Sequence, residues 1–281
     1  MQKTYSQAWL DYELIDAGNE KKLERWGDII TIRPEVNAYF TSALPESEWL
    51  QKAHFKFIET TKTSGSWKIL KTVQKMDWLI SFKQLKLNLH LTQFKHLGIF
   101  PEQRVNWDFI ADNLSAGERF LNLFAYTGVS SLVARQQGAE VYHCDSVKQI
   151  IGWAKENMLS SNLEDVHWVL EDALKFAQRE VKRGRKYQGI IMDPPAFGIG
   201  ANKQRWKIEN KFPKLLESAL ALKEKDGFII ANTYSPRLPA RKIREITKEL
   251  TTHQKVEVTD LCVKTTTGKR LDYGQRTVIT A

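Results

Sequence analysis

The chain has 281 residues, 42 % of them hydrophobic, enough for one large core or two modest ones and too many for global disorder. Lys and Arg outnumber Asp and Glu by 42 to 33, a formal net charge of +9, which points to a polyanionic partner, nucleic acid first. Two cysteines argue against a disulfide framework, no stretch is apolar enough to cross a bilayer, and Met1–Leu14 lacks a signal-peptide core, so a cytoplasmic protein without membrane contact is expected.

The first hundred residues read as strands at Asp28–Arg33, Ser66–Val73, Trp78–Phe82 and Gln84–Phe94. In the last, Leu85, Leu87, Leu89 and Leu91 alternate with Lys86, Asn88, His90 and Thr92, the period of two of a half-buried strand. Gly18-Asn19, Gly27-Asp28 and Ser64-Gly65 supply turns. Five of the nine tryptophans (Trp9, Trp26, Trp49, Trp67, Trp78) fall here, as core or as an RNA platform, with core favoured. A small β-rich N-terminal domain, 1–95, is expected, followed by a connecting segment, 96–117.

From Glu118 the rhythm changes. Strands are expected at Arg119–Phe124, Val141–Asp145, Val166–Leu170, Tyr187–Asp193 and Gly227–Thr233. Helices follow them at Val129–Gln137, Ser146–Leu159, Ala173–Val181, Ile208–Leu222 and Pro239–Leu250, and Val256–Val263 with Gln275–Thr280 close as an antiparallel pair. That pattern makes 118–281 an α/β domain with a doubly wound, seven-stranded sheet, whose ligands sit beyond the carboxyl ends of the strands.

The loop after the first of these strands, Asn122-Leu123-Phe124-Ala125-Tyr126-Thr127-Gly128, enters a helix through a single glycine. It lacks both G-x-G-x-x-G and the P-loop lysine, so it suits an adenosine-like ligand without phosphates. Asp145, about 20 residues on, is placed to accept from ribose hydroxyls, and Asp172 from an adenine amino group; alone, either would read as a helix N-cap. The fourth strand ends in Asp193-Pro194-Pro195-Ala196-Phe197-Gly198. Two prolines fix the backbone and remove two N–H donors, so Asp193 and a proline carbonyl can hold a flat amino-bearing group while Phe197 stacks on it.

In this order, Asn122–Gly128, Asp145, Asp172 and Asp193-Pro194-Pro195-Ala196-Phe197 resemble the class I S-adenosylmethionine-dependent methyltransferases. Among these the resemblance is to the bacterial large-subunit rRNA methyltransferases related to the cytosine-5 enzymes. There, a segment ahead of the fold reads like F-L-D-Q-R-x-N-R and touches the cofactor. Phe100-Pro101-Glu102-Gln103-Arg104-Val105-Asn106-Trp107 is similar, with Pro101 for Leu, Glu102 for Asp and Trp107 for the final Arg. The resemblance covers about residues 95–281 and implies a Rossmann-like methyltransferase sheet with S-adenosyl-L-methionine as cofactor. It implies cofactor contacts from Phe100, Gln103, Asn122, Phe124, Tyr126, Thr127, Gly128, Asp145, Asp172 and Asp193, and a catalytic role for Asp193, Pro194 and Phe197. One departure matters. Cytosine-5 chemistry needs a cysteine thiolate after the fourth or fifth strand, and here neither loop contains one; Cys144 and Cys262 fall inside strands. A base nitrogen attacking the methyl group directly, in line, fits better, with Asn232 or Tyr234 on the opposite wall.

Basic residues gather in three places. Lys182-Arg183-Arg185-Lys186 precedes the fourth strand and reads as a solvated face away from the site. Lys203, Arg205, Lys207, Lys211 and Lys214, with Trp206 among them, and Arg237, Arg241, Lys242 and Arg244 follow the fourth and fifth strands. Lys203, Arg205, Trp206, Tyr234, Arg237 and Arg241 are therefore the candidate RNA contacts, a phosphate track with a stacking platform, against ordinary helix-surface charge. His143-Cys144-Asp145 cannot converge on one ion because consecutive strand residues face opposite ways, so no metal is expected, and nothing in the pattern specifies an oligomeric state. The leading expectation is an RNA methyltransferase acting on rRNA. Its rivals are a protein or small-molecule N-methyltransferase, a non-catalytic RNA-binding protein retaining the fold, and a nicotinamide-dependent dehydrogenase, which the missing glycines disfavour.

Overall fold

The computed structural model describes residues 2–61, 64–73, 76–199, 205–251 and 253–281. In chain order, β1 (Lys3–Ser6), β2 (Tyr12–Gly18), β3 (Lys21–Trp26) and β4 (Ile29–Pro34) are followed by helix α1 (Glu46–Lys52). Strands β5 (Phe55–Glu59), β6 (Gly65–Ile69), β7 (Trp78–Phe82) and β8 (Leu85–Leu89) come next, and a short turn of 3-10 helix, Pro101–Gln103, opens α2 (Arg104–Asn113). Strand and helix then alternate through β9 (Arg119–Leu123), α3 (Val129–Gln136), β10 (Glu140–Asp145), α4 (Lys148–Ser160), β11 (Val166–Leu170) and α5 (Ala173–Lys182). The series continues with β12 (Tyr187–Met192), β13 (Phe197–Ile199), β14 (Arg205–Lys207), α6 (Ile208–Leu222), β15 (Lys223–Thr233), α7 (Ala240–Leu250), β16 (Lys255–Lys264) and β17 (Arg270–Thr280).

Contacts divide the chain into two compact units. One comprises Met1–Thr4, Asn106–Leu261 and Gly274–Ala281; the other comprises Tyr5–Val105 and Cys262–Tyr273. The largest sheet has strand order β1-β16-β17-β15-β12-β9-β10-β11. Strands β9 to β12 and β15 run parallel, and β17 pairs antiparallel with β15. The seven strands read from the sequence are all present, and β1 joins at the edge as an eighth.

Both faces of the central strands are covered, which is why they read as continuous apolar runs. Leu121, Leu123, Ile190, Met192, Ile229 and Ala231 pack on Phe176 of α5 and on Phe212, Leu215 and Leu216 of α6. Each such side chain withdrawn from water contributes about 1.5–3 kcal/mol. The alternate residues, Phe120, Asn122, Ile191 and Ile230, are buried on the other face. Helix α4 starts two residues later than the periodicity suggested. Its first expected apolar position, Val147, is 44 % exposed, because its N–H is taken by Asp145 Oδ1 at 2.9 Å before the helix begins.

In the second unit the five-stranded sheet runs β2-β3-β4-β5-β6. Neighbours are antiparallel except β4 and β5, where α1 intervenes and returns the chain in the same direction. Strands β7 and β8 form a separate hairpin. The alternation that suggested a strand to Phe94 pairs only as far as Leu89. Beyond it, the Thr92 hydroxyl donates to the Phe94 and His96 carbonyls, a local turn that competes with pairing. The tryptophans behave as core. Trp26 and Trp49 are buried, and Trp9, Trp67 and Trp78 are half-buried with indole N–H groups donated to backbone carbonyls.

Candidate active site

Strand register brings the acidic and amide residues of the first unit onto one level. Asn122, His143, Ile191 and Ile230 are mutually in register across β9, β10, β12 and β15, and Met192 pairs with both Leu123 and Ala231. One residue further on stand Asp145, Phe124, Asp193 and Asn232, in a row across the carboxyl ends. Asn232 in turn pairs with Arg276 of β17.

The loop from Phe124 to Gly128 is held in an unusual backbone state. Phe124 (φ 60), Tyr126 (φ 51) and Gly128 (φ 87) are all left-handed, a conformation that costs an aromatic residue on the order of 1–3 kcal/mol and needs surrounding bonds to impose it. Those bonds are present. Ala125 N–H donates to the Cys144 carbonyl at 3.1 Å, Tyr126 N–H to Asp145 Oδ2 at 2.9 Å, and the Asn157 amide of α4 to the Thr127 carbonyl at 2.9 Å. Beneath the loop, Asn122 Nδ2 donates to Ser131 Oγ at 2.9 Å, and Ser131 lies 3.0 Å from His143 Nδ1. Burial pushes the His143 imidazole down to about 3, so it stays neutral in this network. Ser131, His143 and Asn157 carry no motif, and only their polarity within apolar runs hints at their task.

Gly128 is required twice over: by its φ, and because a Cβ there would sit 3.1 Å from Ala154 Cβ and 3.2 Å from His143 Cε1. Gly128→Ala is expected to destabilise the fold by on the order of 2 kcal/mol, read as a lower urea midpoint with an unchanged slope.

Asp145 is half-buried at the tip of β10, and both its oxygens accept a backbone N–H, from Tyr126 and from Val147. Burial raises its pKa despite those bonds. A carboxylate so placed can also accept from the paired hydroxyls of a ribose. Asp172 is the N-cap of α5, with Oδ1 accepting from Lys175 N–H at 2.9 Å. The cap reading is thus real, and Oδ2 is not engaged by it.

Asp193 directly follows β12 and is half-buried; its N–H extends the parallel pairing to the Leu123 carbonyl at 3.4 Å. Pro194 is buried, whereas Pro195 and Ala196 are exposed and Phe197 is 56 % exposed. The chain then enters a hairpin that the sequence did not suggest, with Phe197 opposite Lys207 and Gly198 opposite Trp206. Trp206 corrects an expectation. It is no open stacking platform: the ring is buried, edge-on to Phe124 at 5.0 Å, and its indole N–H donates to the Pro195 carbonyl at 2.6 Å. Trp206 thereby fastens the proline turn to the loop after β9.

The remaining candidates are scattered. Arg205 and Lys207 are exposed, and Lys203 lies outside the described residues. Arg237 and Arg241 are exposed but paired, with Glu209 at 3.3 Å and Glu245 at 3.0 Å, so any phosphate must compete with a carboxylate. Tyr234 is half-buried just past β15. Asn232 is fully buried, its Oδ1 accepting from Asn106 of α2, so it braces the row rather than lining an open wall. Phe100 and Gln103 belong to the other unit. Phe100 lies 5.1 Å from His96, ring to ring, and Gln103 is buried at the end of the 3-10 turn. Cys144 faces the apolar core opposite the loop's polar network, and burial pushes its thiol well above the ordinary range. Cys262 is buried, its thiol 3.0 Å from Asp272 Oδ1. Among the described residues no three His, Cys, Asp or Glu side chains converge as metal ligands do, and no helix is long and apolar enough to cross a membrane.

The sequence model of the S-adenosylmethionine-dependent methyltransferases matches residues 44–252. The chain belongs to that family. S-adenosylmethionine is its cofactor, and the eight-stranded sheet is a methyltransferase sheet. A solved S-adenosylmethionine-dependent methyltransferase from Agrobacterium tumefaciens superposes with a TM-score of 0.91 at 32 % identity, covering 100 % of this chain and 97 % of that one. A putative methyltransferase solved with S-adenosylhomocysteine, SMU.776, shares the fold, with a TM-score of 0.77 at 18 % identity over 96 % of this chain and 75 % of its own. Among curated relatives, the ribosomal RNA large subunit methyltransferase K of Neisseria meningitidis is 28 % identical over 160 residues, 54 % of this chain and 44 % of its own length. The chain spans less than half the length of the curated relatives it matches.

Proposed function

We propose that this methyltransferase acts on RNA, ribosomal RNA first, and modifies a base nitrogen. The observation that carries the reading is a half-buried carboxylate, Asp193, followed within four residues by an exposed aromatic ring, Phe197, on a proline-fixed turn with no thiol in it. The relatives named above as ribosomal RNA methyltransferases, and the net charge of +9, support the same substrate class.

In this reading Asp145 holds the ribose, Asp172 the adenine amino group, and the backbone of Phe124–Gly128 the rest of the cofactor. When bound, S-adenosylmethionine would supply an electrophilic methyl carbon on a sulfonium; a base nitrogen would form the new N–C bond in line as the C–S bond breaks and S-adenosylhomocysteine leaves as a neutral thioether. The chain's residues align and exclude water; alignment alone is worth up to about 7–11 kcal/mol. Asp193 orients the base by accepting from its N–H and takes the proton late. With the Pro195 carbonyl occupied by Trp206, the Pro194 carbonyl is the second acceptor for an amino group. Phe197 stacks on the exposed base face. Arg205, Arg237, Arg241 and Lys203 guide the strand by its phosphates.

The test is transfer of labelled methyl from S-adenosylmethionine to in vitro transcribed ribosomal RNA, set against total protein. Label in RNA, lost with Asp193→Ala, is expected; label confined to protein ends the RNA reading. Cys144→Ala and Cys262→Ala are expected to keep turnover within about twofold, because neither thiol is where a nucleophile must stand. A large loss of kcat in either, with the fold intact, would restore thiol chemistry.

A further inference from the structure

Arg276 is a buried cation that the mechanism above does not use. It is 6 % exposed. Its Nε–H donates to Asn106 Oδ1 at 2.6 Å, and its guanidinium lies over the Phe109 ring, 5.4 Å from the centroid. Asn106 is itself fixed by donating to Asn232 Oδ1 at 3.1 Å. Two amide side chains and a ring therefore hold the guanidinium in one orientation. Among the described residues no Asp or Glu is paired with it. Burial lowers its pKa, and Glu257 offsets this only in part. Taking a charge out of water without a partner is costly, so a fold that needed only packing here would gain by an apolar side chain. The arrangement is a preformed cation waiting for an anion.

Its position says which anion. Arg276 is in register with Asn232, and Asn232 stands level with Asp193, so Arg276 and Asp193 are two strand spacings apart, roughly 10 Å between Cα atoms. Along the row, Asp145 and Asp172 lie on the side of β10 and β11, suited to neutral donors and hostile to anions. Arg276 lies on the other side of Asp193, across β15. A ligand spanning the row thus has its hydroxyl-rich end over β10 and its anionic end over β17, with the reacting atoms between.

We propose that Arg276 binds a phosphate oxygen of the substrate strand, next to the target base and on the side away from the cofactor. This rests on the RNA reading of the site. It adds a specific anchor to the exposed arginines, whose pairing with Glu209 and Glu245 leaves them as weaker, interchangeable phosphate contacts. Arg276 acts by binding, and no proton or bond change passes through it.

The experiment compares wild type, Arg276→Gln and Arg276→Lys. Three measurements are made: methyl transfer to in vitro transcribed ribosomal RNA at several salt concentrations, S-adenosylhomocysteine affinity by calorimetry, and thermal melting. Arg276→Gln keeps a donor for Asn106 and removes the charge. It is expected to raise KM for RNA at least tenfold and to flatten the log–log salt dependence of KM by about 0.7 for a single strand. S-adenosylhomocysteine affinity should stay within twofold. The melting temperature should equal or exceed that of wild type, since an unpaired buried charge is gone. Arg276→Lys should recover part of the RNA affinity. A tenfold loss of S-adenosylhomocysteine affinity with RNA KM unchanged would overturn the proposal and assign the cation to the cofactor's carboxylate. A lower melting temperature with an unchanged salt slope would make Arg276 a brace only. If wild type transfers nothing to RNA, the substrate reading fails and takes this inference with it. An active wild type beside an Arg276→Gln variant with unaltered RNA KM overturns the role of Arg276 alone.

Discussion

Asp193→Ala is expected to slow single-turnover methyl transfer to RNA by about 10²–10⁴-fold, the usual contribution of a positioned acid–base group, with cofactor affinity changed less than about threefold. The asymmetry follows from the row. Asp193 is level with Phe124 and Asn232 and lies beyond the last paired residue of β12, and the proposed reading gives its carboxylate to the substrate rather than to the adenosine end of the cofactor. Its backbone is fixed by the N–H bond to Leu123 and by Pro194, two restraints that truncation of the side chain leaves in place. Asp193→Asn keeps an acceptor but loses the charge. The difference between a charged and a neutral hydrogen bond, on the order of 1–1.5 kcal/mol, makes it roughly tenfold slower than wild type. Equal rates in wild type and Asp193→Ala, or a parallel collapse of cofactor affinity, would contradict the role given to this residue.

The position of Asp193 at a strand end was legible in the sequence because its polar side chain marks where the chain changes state. Each of Asn122, Asp145, Asp172 and Asp193 is a polar residue at the end of an apolar run, and parallel strands buried on both faces make such runs stand out. The strands β9, β10, β11, β12 and β15 were accordingly placed to within a few residues. The second unit was harder to read, for a physical reason. Its strands β2 and β3 carry Asp16, Lys22 and Glu24 on their inward faces, all buried, so the apolar alternation is broken by charge. The structure satisfies these groups internally, with Glu24 on Arg33 at 2.7 Å and Lys22 on Glu35 at 3.3 Å, and with Asp16 accepting from the Trp49 indole at 3.1 Å. Periodicity alone reads such residues as solvent-facing. The hairpin of β13 and β14 was missed because two prolines and a run of cations look like an open loop. Trp206 was taken for a surface ring because its neighbours Arg205 and Lys207 are indeed exposed; alternation in the short strand β14 turns only Trp206 inward. Burial of its ring, with the indole on the Pro195 carbonyl, shows that an aromatic amid basic residues reports a track for nucleic acid only when its face is free.

Asp145→Ala is expected to weaken cofactor binding by about 10²-fold, with the remaining turnover at saturating cofactor reduced much less. In the proposed reading, two charge-assisted bonds to ribose hydroxyls, at about 1.5–3 kcal/mol each before the entropy of holding them is deducted, would account for the size. A second loss comes from the loop. Asp145 Oδ2 is the acceptor that holds Tyr126 N–H, so its loss removes one of the bonds that impose the left-handed state at that residue. Asp145→Asn should fall between, since one amide oxygen can serve only one of the two N–H donors and the NH2 group opposes the other. The carboxylate also sets a pH dependence. Burial raises its pKa in the free protein, and in the proposed reading ribose hydroxyls bind the ionised form, so binding would draw the proton off. Affinity is then full above the raised pKa and declines as the pH falls through it, starting at a higher pH than an exposed aspartate would give. Calorimetric titration with S-adenosylhomocysteine across that range checks both points. An affinity that is flat with pH in wild type, or a pH dependence that survives in Asp145→Ala, would mean that the ribose is held by another group.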